Sequence, residues 1–137
     1  VGSRSSMVIT QGRHSVAETV GRIEGALAER GLTLFARVDH AAGARAAGLH
    51  LADEVLLLFG DPRVGTELMR AAPAVGVALP LRLLVWHEDG VTRIGFEDPT
   101  TYAERFGLAD HAETLEQLHL LLDGIAAEGE GDGTETG

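Results

Sequence analysis

The sequence predicts a single α+β domain: a mainly antiparallel or mixed β-sheet of about five strands, helices packed on one face, and a further helix at the C-terminal end. Three observations carry that prediction. Asp89-Gly90 sits between two β-type segments, and such a dipeptide is a strong signal for a two-residue hairpin turn. Val16, Val20, Ile23 and Leu27 recur at helical spacing, as do Leu115, Leu118, Leu122 and Ile125. Between them lies Val55 to Phe59, a short continuous apolar run of the kind found in strands buried on both faces.

Taken in order, residues 1–6 read as an expression-tag remnant ahead of a start at Met7, and Met7 to Gln11 as a short strand. Ser15 followed by Glu18 matches a capping box, which opens a helix running to about Arg30, where Gly31 can end it with a positive φ. Ala17, Gly21, Gly25 and Ala28 form a second, small-residue stripe on that helix, expected to pack on the sheet or on a partner subunit. Thr33 to His40 reads as a strand with Leu34, Ala36 and Val38 on one face and Phe35 and Arg37 on the other. Asp39 caps a short helix over Ala41 to Ala47, closed by Gly48. After the buried strand, Asp61-Pro62 is a cap and first-turn signal for a helix reaching about Ala72.

The Asp89-Gly90 turn fixes the hairpin register over Arg82 to Glu97. It sets Val85 opposite Ile94 on the core side, and Trp86 opposite Arg93 and Arg82 opposite Glu97 on the other, with a cation–π contact and an ion pair expected there. A short helix follows around Tyr102 to Phe106, and Asp110 with Glu113 opens the last one, whose apolar stripe Leu120 and Leu121 widen. From Glu128 the composition turns to Gly, Glu and Thr. Residues 7–127 are therefore expected to be globular and 128–137 a disordered acidic tail.

Composition excludes more than it assigns. All 11 basic residues are Arg, and 21 acids give a net charge of -10, which opposes binding to nucleic acid or anionic membranes. The chain has no Cys, hence no disulfide and no thiolate nucleophile, and no Lys, hence no Schiff base. The missing Lys and Asn beside abundant Arg, Ala and Gly fit a GC-rich bacterial genome. No apolar run approaches membrane-spanning length and no signal peptide is apparent, so the expected location is cytoplasmic. No cofactor is expected.

The candidate motifs are few. Gly60-Asp61-Pro62-Arg63-Val64-Gly65-Thr66 follows a strand and opens a helix, but Thr66 stands where a phosphate loop needs Lys, and Asp61 puts a negative charge where an anion would sit. A strand-to-helix turn is the better reading, with Arg63 available for anion binding. Ser15 is the only Ser beyond residue 6 and is already assigned to a cap, so a serine triad has no nucleophile. Six histidines occur without ligand spacing, and no metal site is expected. Asp39-His40 is the best acid/base pair, since the carboxylate can orient the imidazole; the alternative is that Asp39 caps the next helix and His40 packs at the sheet edge.

Val38-Asp39-His40, Leu56-Leu57-Leu58-Phe59-Gly60-Asp61-Pro62, Gly65-Thr66 with Leu68-Met69, and Leu79-Pro80-Leu81-Arg82 follow one another in an order that resembles the family known as domain of unknown function 302. Where that family usually has Asn before the Pro, this chain has Asp61. The resemblance implies a small α+β domain, commonly a homodimer, and no assigned reaction. Two functional expectations result. The first is a homodimeric module that binds a small molecule or protein partner through Arg37, His40, Gly60, Asp61, Arg63, Thr66 and Arg82, around His40, the Gly60 to Thr66 turn and the Pro80 to Arg82 segment, since sites tend to gather outside regular elements. The second is a small acid/base enzyme using His40 oriented by Asp39, with Arg37 or Arg82 holding an anionic substrate.

Overall fold

The structure, a computed structural model, describes residues 6–131. Residues 1–5 of the expected tag and 132–137 of the expected tail lie outside the described residues. Five strands, β1 (Met7–Gly12), β2 (Thr33–Asp39), β3 (Glu54–Gly60), β4 (Leu81–Glu88) and β5 (Val91–Glu97), form one antiparallel sheet in the order β1-β5-β4-β3-β2. The helices are α1 (Val16–Glu29), α2 (His40–Ala46), α3 (Pro62–Ala71), α4 (Tyr102–Arg105) and α5 (Ala112–Glu130). Because β1 and β2 occupy opposite edges, the connecting α1 must cross the sheet, and α5 lies beside it on the same face.

Strand alternation sorts the residues. Val55, Leu57, Phe59, Leu83, Val85, Ile94 and Phe96 point toward α1 and α5 and are buried with their apolar stripes in one core. The hairpin forms as its turn dictates: Asp89 and Gly90 both take positive φ (53° and 80°), and Val85 pairs with Ile94 and Trp86 with Arg93. Trp86 and Arg93 do not stack as a cation–π pair, however. Both turn to Glu88, which accepts a hydrogen bond from the indole Nε1 at 2.9 Å and pairs with the Arg93 Nε at 3.2 Å.

Helix α1 opens as expected, with Ser15 Oγ accepting from the Glu18 N–H at 3.1 Å, and is followed by Gly31 at φ 69°. Its small-residue stripe faces solvent: a Cβ at Gly21 or Gly25 would meet nothing within 4 Å. Two departures from the sequence reading have clear physical causes. A bulge between Leu34 and Ala36 inserts Phe35 as an extra residue, so Leu34 pairs with Phe59 on the helix side while Ala36 and Val38 oppose Leu58 and Leu56 on the other. Helix α5 starts after a 3-10 turn over Ala109–His111, and it runs through Glu130, past the expected boundary at 127. Long-range contacts hold that extension: Thr10 Oγ1 donates to Glu130 at 2.8 Å, the Arg13 N–H donates to the Glu130 carbonyl at 2.9 Å, and Arg30 pairs with Glu128 at 2.7 Å.

Candidate functional site

The carboxyl end of β3 runs into Gly60 and then Asp61, whose Oδ1 accepts from the Arg63 N–H at 3.0 Å and so caps α3, with Pro62 in the first turn. This turn forms one wall of a cavity of about 480 Å³, within the range of small-molecule sites. Val64, Gly65, Leu68 and Met69 of α3 line it from one side, and Leu79 to Leu81 from another. Leu32 and the bulged Phe35 close it at the edge of the sheet, and Leu118 and Leu121 of α5 complete the lining. Among the described residues, only Asp61 and Thr66 contribute polar side chains to it.

The expected site residues divide among three places. Gly60, Asp61 and Thr66 line the cavity. Arg63 does not: its side chain is 91% exposed and folds back on Asp61, with Nε at 3.2 Å from Oδ1. The hydrogen bonds from the Arg63 side chain, and then from its backbone, hold the Asp61 carboxyl below its ordinary range, so it stays ionised at the rim.

Arg82 follows Leu81 on β4 and therefore projects from the opposite face of the sheet. There it pairs with Glu97 at 3.9 Å, and Glu97 also pairs with Arg105 at 3.1 Å and accepts from the buried Tyr102 hydroxyl at 3.1 Å. Burial, and then the Glu97 carboxylate, push ionisation of Tyr102 from 10.0 up to about 12. A proton held more tightly in the folded state stabilises it fully below the unfolded value of 10.0, and that stabilisation disappears as pH rises toward about 12. The chain has one Tyr, no Lys and no Cys, so this alkaline step belongs to a single side chain. Tyrosinate absorbance of the native protein should therefore titrate near about 12, and Tyr102→Phe should flatten the loss of stability across that interval. A native midpoint near 10.0 would contradict the buried hydroxyl–carboxylate contact.

Arg37, Asp39 and His40 lie elsewhere again. Thr33 pairs with Gly60 beside the cavity and Asp39 with Val55 at the far end, a run of roughly 20 Å along β2. Arg37 is ion-paired with Glu24 of α1. Asp39 caps α2, accepting from the Ala42 N–H at 2.9 Å, and among the described residues no hydrogen bond or ion pair joins it to His40, which is exposed. The sequence reading thus grouped residues that the fold separates. It missed Leu32, Phe35, Met69 and Leu79, and the one signal within reach was the widened stripe of α5: Leu121 lines the cavity, while Leu120 is 60% exposed.

Comparison with known proteins adds kinship to this geometry. A family model described as "Domain of unknown function DUF302" matches residues 8–125. Among curated proteins, the chain is similar to the fluoride-specific ion channel FluC 1 of Brucella suis biovar 1 (strain 1330), with 42% identity over 106 residues, 76% of this chain and 41% of that protein. FluC 1 of Brucella abortus biovar 1 (strain 9-941) and FluC 2 of Brucella melitensis biotype 1 share the same 42% identity over 106 residues, 39% of their lengths. The chain spans about two fifths of the length of these curated relatives. A crystal structure of an uncharacterized conserved DUF302 protein from Bacillus stearothermophilus matches with a TM-score of 0.83 at 21% identity, covering 91% of this chain and 98% of that one, so the two share a fold. With the family model matched across both edges of the sheet and most of α5, the chain belongs to the DUF302 family of domains of unknown function.

Proposed function

We propose that this domain is a homodimeric small-ligand-binding module, and that its ligand occupies the cavity between α3, the Leu79 to Leu81 segment and α5. The carrying observation is the cavity itself: about 480 Å³ of concave, largely apolar space at the carboxyl end of a central strand, bounded by the Gly60 to Thr66 turn. The acid/base alternative loses its support, because Asp39 is used as a helix cap and Arg82 is on the other face of the sheet.

Dimerisation draws support from the uncovered face. Ile9, Gly95, Leu84, Leu56 and Val38 follow one another by strand pairing in a row across all five strands, with Ile9 50% and Val38 40% exposed at its ends. Ion pairs of Arg93 with Glu88 and of Arg82 with Glu97 lie to either side of it, the arrangement of an apolar interface centre with a polar rim. Kinship with part of the FluC-named channels supports a module that works beside another activity. None of the described helices is long and apolar enough to cross a membrane, so in such a protein a domain of this fold would be an appendage to the channel.

Native mass spectrometry of protein purified without a denaturing step tests the reading. The expected species is a dimer carrying a reproducible additional mass. A monomer at micromolar concentration, with no retained mass and no melting shift in a panel of apolar small molecules, would overturn it.

A further inference from the structure

We infer that the cavity selects an uncharged, hydrocarbon-rich small molecule, and that Gly65 is the residue that keeps room for it. The inference rests on the binding reading above and specifies the ligand's chemistry. Among the described residues no Arg or His lines the cavity, and Arg63, the cation of the adjoining turn, is turned outward and engaged by Asp61. A carboxylate or phosphate group entering would lose its water without a partner, at high cost, and would meet the ionised Asp61 at the rim. The other polar side chain that the described residues put on the lining is the Thr66 hydroxyl, which can satisfy one hydroxyl or carbonyl of a neutral guest.

Gly65 points the same way. It lies inside α3, where glycine is among the least favourable residues, and its φ is not in the left-handed region that would demand glycine. Packing does not demand it either: a Cβ built there would lie 3.8 Å from both Leu79 Cδ1 and Met69 Cε, ordinary contact distances. Since Leu79 and Met69 both line the cavity, a side chain at position 65 would enter the space between them. The glycine thus costs helix stability while leaving that space empty. Met69, a flexible and polarisable side chain that is 38% exposed, supplies an adaptable part of the same wall one helical turn along.

The test uses two fluorescent probes with closely related arylamine skeletons: uncharged N-phenyl-1-naphthylamine, and 1-anilinonaphthalene-8-sulfonate, which adds an anion. The folded full chain should bind the uncharged probe at least ten times more tightly than the sulfonate. Gly65→Leu should abolish binding of the uncharged probe. Gly65→Ala should raise the thermal midpoint and weaken binding several-fold, which keeps the inference testable if the leucine variant fails to fold. Binding of the sulfonate as tight as that of the neutral probe, or a Gly65→Leu protein that folds and binds as the parent does, overturns the inference and leaves the binding module standing. Failure of the parent to bind either probe overturns the inference together with the cavity as binding site.

Discussion

Leu68→Ala is expected to lower the unfolding free energy by about 2–5 kcal/mol, a large share of the roughly 5–15 kcal/mol typical of a domain. Leu68 is fully buried and is the one residue of α3 that is. The rest of the helix is held by the Asp61 cap and by partly covered side chains such as Val64, so no other residue of α3 can take over the anchoring. Truncation removes both the transfer free energy of the isobutyl group and its contacts with the core, and it merges the resulting void with the existing cavity. Urea denaturation should show a lowered midpoint with little change in slope, because the surface exposed on unfolding barely changes. The enlarged space stays apolar, so neutral guests bulkier than those the parent accepts should bind. A loss below about 1 kcal/mol would mean that α3 is not seated by Leu68, and the cavity wall would have to be fixed by the 61–66 turn alone.

The sequence disclosed those parts of the fold whose chemistry is local. Asp89-Gly90 can take two consecutive positive φ values, so the register followed from the turn, and Ser15 with Glu18 announced the start of α1. The bulge at Phe35 has no such local signature: Leu34, Ala36 and Val38 alternate in sequence, and only pairing with β3 reveals that one residue is extra. The site was less legible still. Its lining comes from four separated segments, around Phe35, the 60–69 stretch, Leu79 to Leu81 and the Leu118 to Leu121 turn of α5, and most of it is apolar. Apolar residues on a cavity wall read like apolar residues in a core, whereas the polar turn residues that attracted notice are spent on caps and ion pairs. Arg82 could have been set aside from sequence alone, because a strand that buries Leu81 and Leu83 must send it to the other side.

Gly129 gives the second large effect, and it bears on where the domain ends. Composition from residue 128 onward, rich in Gly and Glu, matched that of a disordered tail, yet Gly129 is buried where α5 meets α1. A Cβ at that position would lie 2.8 Å from Ile23 Cγ1, 3.0 Å from Ile23 Cδ1 and 3.2 Å from Ile94 Cδ1. Ile23 and Ile94 are both fully buried, so neither can move aside without disturbing the core. Gly129→Val should therefore cost about 1–3 kcal/mol through overpacking, even though valine is the better helix former of the two. Truncation after Ala127 should also destabilise, since it removes the Arg30–Glu128 ion pair, the bond from Arg22 to the Glu128 carbonyl and the Thr10–Glu130 bond that ties β1 to α5. Thermal unfolding of the two variants beside the parent distinguishes the possibilities. In a disordered segment both changes would be silent, whereas a residue wedged between two core isoleucines makes the single substitution comparable in effect to loss of the whole last turn, because close approach of α1 and α5 at a glycine is what lets the helix continue there.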